Sequence, residues 1–281
     1  MKTRVITALC IIAVVVPLAY LGSWYTLVLA ILFIGGGIIE LLEVRPDKNW
    51  PWYFKLSAYV FSLIMLLWPM LVYWYNGGQG FPTAIIVGVP AMVIVFYLMF
   101  LFCIEITTPR IKTLDVFYIF GMTLLLCLAG QSCLATRLDY GIAALFYILI
   151  VTYVNDAFAL FVGMKFGKHQ LAPVISPKKT WEGAFGGIFF ATIAGVGFYL
   201  IFPFGGEYLN VWLVLIISIV LAVGGIFGDL IFSSIKRHLG LKDFGNIFPG
   251  HGGFLDRIDS ITFNLVLFAV IISIVTGVIF L

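Results

Sequence analysis

Apolar stretches of about 20 residues succeed one another along nearly the whole chain, and a helix of that length spans a hydrocarbon slab about 30 Å thick. The solvent is therefore decided before any motif is read. Of the 281 residues, 63% are hydrophobic and 10% charged, against about 45–50% and about 25% in soluble domains. A soluble enzyme, a disordered tail and a nucleic-acid-binding domain are excluded. Segments such as Ile85–Leu101 and Val211–Val223 are apolar on every side, whereas strands of a membrane barrel would alternate. The pattern predicts an all-α, polytopic integral membrane protein with about nine transmembrane helices. These are Val5–Leu21, Trp24–Leu42, Tyr53–Tyr75, Thr83–Ile104, Leu114–Leu134, Tyr140–Val162, Gly183–Phe202, Val211–Ile231 and Ser260–Leu281. Cys10, Cys103, Cys127 and Cys133 fall within apolar runs without CxxC spacing and read as small hydrophobes.

Basic residues set the orientation, because short cytoplasmic loops retain Lys and Arg. Every Lys and Arg except Arg137 lies at the N-terminus or in an even-numbered loop and its flanks. The N-terminus is thus expected in the cytoplasm, with the chain a multi-pass protein of the cytoplasmic (inner) membrane. Two organisational regions follow: residues 1–139 with five spans, and residues 140–281 with four spans and two long cytoplasmic loops, 163–182 and 232–259. Glu40, Glu43, Glu105, Asp156 and Asp229 gather at the cytoplasmic ends of spans. Carboxylates in apolar sequence are costly unless they pair, line water or hold a cation, so a site open to the cytosol is expected.

The loop 232–259 combines Lys236, Arg237, Lys242 and Arg257 with His238, His251, three aspartates and several glycines. Gly250, Gly252 and Gly253 would let backbone N–H groups approach phosphate oxygens, with Lys236, Arg237 and Lys242 supplying charge. Asp256 and Asp259 stand three apart, on one face of a first helical turn. Together with Asp229 they form a hard-oxygen set suited to Mg2+, which typically takes one or two carboxylates and completes its shell with phosphate and water. The blander alternative is a solvated basic loop on anionic headgroups, with Asp229 ion-paired, for example to Lys236. In the other loop, Ser176 followed by Pro177 reads as a helix N-cap with Pro at the first position, so that exposed N–H groups, Lys178 and Lys179 form an anion site. A re-entry turn whose lysines only fix topology is the alternative there.

The run from Ser233 to Asp259 resembles the signature of the phosphatidate cytidylyltransferases, or CDP-diacylglycerol synthases. It contains Ser, Lys-Arg, Lys-Asp, Pro-x-His-Gly-Gly and Asp-Arg-x-Asp at the family's spacing, with every fixed position filled. A second block is similar to the same family: Asn155-Asp156, Ala159, Gly163, Gly167-Lys168-His169, Leu171-Ala172-Pro173 and Ser176 through Gly183. Leu160, where an aromatic is familiar, and Lys165, one place later than the usual basic residue, depart from it. The first five spans match in hydropathy alone.

The resemblance implies transfer of the cytidylyl group of CTP to phosphatidic acid, giving CDP-diacylglycerol and pyrophosphate at the cytoplasmic membrane face. With the residue chemistry above, catalysis is expected to fall to Asp229, Asp256, Asp259, Lys236 and Arg237. Substrate binding falls to Ser176, Lys178, Lys179, Lys242, His251, Gly252, Gly253 and Arg257, and Mg2+ to Asp229 and Asp256. A second, monovalent cation such as K+ is compatible with the carboxylate count, and a homodimer with the fold class. A transporter and a lipid-binding scaffold are the competing readings. Acids crowding one leaflet instead of the midplane speak against the transporter.

Overall fold

The computed structural model describes residues 13–22, 24–44, 50–75, 77, 89–245 and 252–276. His251, Pro249, Gly250 and the outer ends of the first, fourth and ninth expected spans lie outside these residues. The elements are α1 (13–21), α2 (Trp24–Glu43), α3 (Trp52–Tyr75), α4 (Val89–Thr107), α5 (Thr113–Phe166), β1 (Gln170–Ala172), β2 (Ser176–Thr180), α6 (Trp181–Ile201), α7 (Val211–His238) and α8 (Leu255–Thr276). Among the described residues, six helices are long and apolar enough to cross a membrane. Large apolar side chains such as Phe96, Phe185, Leu200 and Trp212 point outward, as a lipid-facing surface requires.

The chain divides into two compact units, one built from residues up to Asp139 together with Phe244–Leu255, the other from Tyr140–Asp243 and the segment beginning at Asp256. The division falls near Gly141, which interrupts α5 with φ 81° and ψ −177°, a left-handed conformation that glycine adopts at no steric cost. The expected fifth and sixth spans are thus two helices that meet at this glycine.

In the first unit α2 packs on α3, and α3 on α4. Ile34, Ile38 and Leu41 of α2 and Phe54, Met65 and Met70 of α3 are buried, and Phe61 stacks on Tyr97 at 4.1 Å between ring centroids. Pro69 stands inside α3 and cannot donate to the carbonyl four residues earlier, that of Met65. Gln131 Nε2 donates to that carbonyl at 2.6 Å, so the gap in the helix ladder is closed by a side chain of α5, as a lipid environment demands. Arg137, the one basic residue assigned to the opposite side, donates to the carbonyls of Ala19 and Tyr20 at 2.7 and 2.9 Å. It satisfies the C-terminal end of α1.

The second unit is joined by small residues and interhelical hydrogen bonds, the main adhesives once apolar burial no longer distinguishes protein from lipid. Gly183, Gly187, Ala191 and Gly195 recur every four residues along the buried face of α6. A Cβ on Gly187 would lie 2.7 Å from the backbone oxygen and Oδ1 of Asn155, and one on Gly195 2.7 Å from Ser218 Oγ. Tyr147 and Ser218 hydroxyls bond at 2.7 Å, Asn155 Nδ2 donates to Ala222 O, and Asn264 Nδ2 donates to Thr152 Oγ1.

The helices run further than the apolar spans, so both long loops are shorter than expected. α7 continues to His238, with Lys236, Arg237 and His238 in its last turn, where cations favour the helix dipole. It stops in a Schellman arrangement: Leu241 N–H donates to Lys236 O, Gly240 N–H to Arg237 O, and Gly240 takes φ 72°. The other loop holds the antiparallel pair β1–β2, with Gln170 opposite Thr180 and Ala172 opposite Ser176.

Candidate active site

The second unit collects the charged residues at one end, where α5 and α7 finish and α6 and α8 begin. Lys179 at the end of β2 meets Asp229 of α7, Nζ to Oδ2 at 2.6 Å, with both side chains partly exposed. Ser233 Oγ donates to the other oxygen, Asp229 Oδ1, at 3.1 Å. One turn further along α7, Lys236 Nζ contacts Asp256 Oδ1 at 2.5 Å, and here both side chains are nearly enclosed. The block from Asn155 to Gly183 therefore supplies the lysine for an aspartate one helical turn before the run that starts at Ser233. This also corrects the pairing suggested by helical spacing, since Asp229 is held by Lys179 and Lys236 by Asp256.

Asp259 stands three residues after Asp256 on α8, and Ser260 N–H donates to its Oδ1 at 2.8 Å. Its carboxylate interacts electrostatically with those of Asp229 and Asp156 and with Lys236. Asp156 in turn feels Asp229 and Lys179. Three helices thus bring three carboxylates into one field with two lysines set against them. Asp156, counted in the sequence among the acids at the span ends, is the participant to which sequence reasoning gave no role. Its signal was present in an acid within an apolar run, inside the quoted block, the same signal that singled out Asp229.

Ser176 does not cap a helix. Residues 176–180 form β2, and the N-cap of α6 is Thr180, whose Oγ1 accepts from Gly183 N–H at 3.2 Å. The reason lies two residues further on. Glu182 accepts from the backbone N–H groups of Lys168 and His169 and contacts His169 Nδ1 at 2.6 Å. Trp181 N–H donates to His169 O at 2.9 Å. These bonds hold the start of α6 against the turn before β1, so the intervening chain is extended. Gly167 is needed because a Cβ there would strike the Gly163 carbonyl and, at 2.8 Å, Thr180. Several residues of the second block therefore build the hairpin that carries Lys179.

Arg237 is exposed and its guanidinium donates to Ile175 O at 3.4 Å and Leu241 O at 3.1 Å, bridging the hairpin turn to the end of α7. Lys178, Lys242 and Arg257 are exposed. Gly252 has φ 83°, a conformation that favours glycine. Gly252 and Gly253 belong to the first unit.

Hard oxygen donors of the kind Mg2+ takes are present on Asp156, Asp229, Asp256 and Asp259. Among the described residues no three Asp, Glu, His or Cys side chains converge closely enough to enclose an ion unaided. An ion taking one or two carboxylates and the rest of its shell from phosphate and water fits such a set.

Compared with known proteins, residues 2–275 match the model of the Cytidylyltransferase family. The chain is 30% identical over 274 residues to the phosphatidate cytidylyltransferase of Staphylococcus haemolyticus (strain JCSC1435), covering 97% of this chain and 99% of that protein. The protein of the same name from Staphylococcus epidermidis (strain ATCC 12228 / FDA PCI 1200) is also 30% identical over 274 residues, with the same coverage. That from Staphylococcus aureus (strain COL) is 28% identical over 272 residues, covering 97% of this chain and 99% of that one. Because the match takes in the N-terminal spans as well as the interlocked ion pairs, this chain belongs to the cytidylyltransferase family.

Proposed function

We propose that the chain transfers the cytidylyl group of CTP to phosphatidic acid, forming CDP-diacylglycerol and pyrophosphate for phospholipid synthesis. The observation that carries this reading is the similarity, over 97% of the chain, to proteins named for that reaction. A phosphate oxygen of the lipid attacks the α-phosphorus of CTP; that P–O bond forms as the bond to the β-phosphate breaks, and the electron pair leaves with pyrophosphate. A phosphate monoester is largely ionised at neutral pH, its second pKa being about 6, so no strong protein base is required.

The work left to the chain is positioning and charge compensation. Lys179 and Lys236, each held by an aspartate, present ammonium groups of fixed placement, and Lys178, Arg237, Lys242 and Arg257 add charge around them. Asp229 and Asp256 are the residues we assign to hold Mg2+, with Asp156 and Asp259 beside them. Bound there, the cation would offset charge on the triphosphate. A second, monovalent cation such as K+ is compatible with four carboxylates. The site faces the cytoplasm of a cell whose inner membrane holds the protein, and a homodimer is a compatible assembly.

The direct test is purified protein in detergent with CTP, phosphatidic acid and Mg2+. The proposal expects CDP-diacylglycerol to accumulate in a protein-dependent manner and to fall away on chelation. A preparation that is folded and Mg2+-replete yet makes none would overturn it.

A further inference from the structure

Glu40 lies in the last turn of α2, where its own helix dipole disfavours a carboxylate, and it is 1% exposed. A buried acid in such a place needs strong compensation. It finds that within the first unit: its Oε2 accepts from Leu255 N–H, the first residue of α8, at 2.6 Å. A charge-assisted bond to an otherwise orphaned helix N-terminal amide is among the stronger contacts available. Two glycines of the same unit close around the group. A Cβ on Gly253 would fall against both carboxylate oxygens and 2.7 Å from Cδ, and one on Gly245 would strike Oε1. Phe254, between Gly253 and Leu255, meets Phe33 of α2 edge-on at 6.1 Å. The glycine-rich end of the signature is thus moulded to one carboxylate from a region without a motif.

We propose that Glu40 is a positioning residue for the cytidylyl transfer: it fixes the Gly253–Leu255 segment and the first turn of α8, and so where Asp256 and Asp259 begin. This rests on the functional reading above, but the contact itself is testable without turnover. Gly253 then owes its lack of a side chain to Glu40, whatever it offers to phosphate.

The test uses full-length protein in detergent. Glu40→Leu removes the acceptor, and a displacement of reacting groups by about 1 Å costs roughly a hundredfold, so kcat/KM for CTP should fall by that order. Hydrogen exchange should rise in peptides covering Gly252–Arg257 while α6 and α7 keep their protection. Glu40→Gln retains an acceptor for Leu255 N–H and should lose less than about tenfold. Gly253→Ala should be impaired, and shortening the acid in the double variant E40D/G253A should restore part of the loss. Wild-type kinetics and exchange in Glu40→Leu would overturn the proposal. If that variant does not fold, the alanine pair decides, and a double variant no better than Gly253→Ala alone would overturn it. Should the wild type make no CDP-diacylglycerol, the functional reading fails, while hydrogen exchange still decides the contact.

Discussion

Asp229 and Lys179 are bound to each other across two elements, so each should need the other. Losing one charged hydrogen bond is worth about 1.5–3 kcal/mol, or roughly tenfold to a hundredfold in kcat/KM for CTP. Asp229→Asn and Lys179→Gln should each show that loss while remaining folded, and the double variant should lose less than the product of the two. Strictly multiplicative losses would show that the pair does not act as a unit. Asp256→Asn should also lose most turnover, because it removes the carboxylate charge that meets Lys236 where both side chains are nearly enclosed. Unchanged kinetics and Mg2+ requirement would make that carboxylate structural. Asp229 was legible in the sequence because a carboxylate in apolar surroundings is conspicuous. Its partner was not: helical spacing offered Lys236, and only the tertiary arrangement brings Lys179 from a strand some fifty residues away.

At the level of elements, close approach of α6 to its neighbours is what delivers β2 and Lys179 to α7. Gly187→Val would place a side chain into Asn155, whereas a Cβ on Gly197 of the same helix meets nothing within 4 Å. The first substitution should abolish activity or folding yield and Gly197→Val should leave both near wild type; equal behaviour of the two would remove the packing argument. Gln131→Leu should lower thermal stability by about 1–3 kcal/mol, since it strands the Met65 carbonyl beside Pro69 in apolar surroundings. An unshifted melting temperature would mean another group takes over that carbonyl. Helices as such were legible from apolar length. Their ends were not, because polar terminal turns carry no hydropathy signal. The apolar pattern ends the eighth span at Ile231 although α7 continues to His238, while Ser176-Pro177 imitates an N-cap. The clamp that makes it a strand comes from Glu182, through contacts formed only when the hairpin closes.

For the whole molecule, the family match runs the length of the chain although only its C-terminal half spells motifs. Lipid-facing helices need apolarity more than particular residues, so the N-terminal spans left little beyond hydropathy to read; Glu40 stood out as an acid in an apolar run, but its bond to Leu255 N–H did not. The proposed cytoplasmic placement of the ion-paired end of the second unit rests on the distribution of Lys and Arg. In a background without native cysteines, a cysteine at Lys168 should be labelled only from the cytoplasmic side and one at Glu207 only from outside, both positions being exposed. Reversed labelling would invert the topology. The central claim is transfer of an intact cytidylyl group to a lipid phosphate, and label tracing addresses it most directly. With phosphatidic acid and CTP labelled at the α-phosphate, the label should enter CDP-diacylglycerol. With CTP labelled at the γ-phosphate, it should appear in pyrophosphate in equal amount and never in lipid. Release of α-label as CMP without labelled lipid, or of γ-label as single phosphate, would contradict the account.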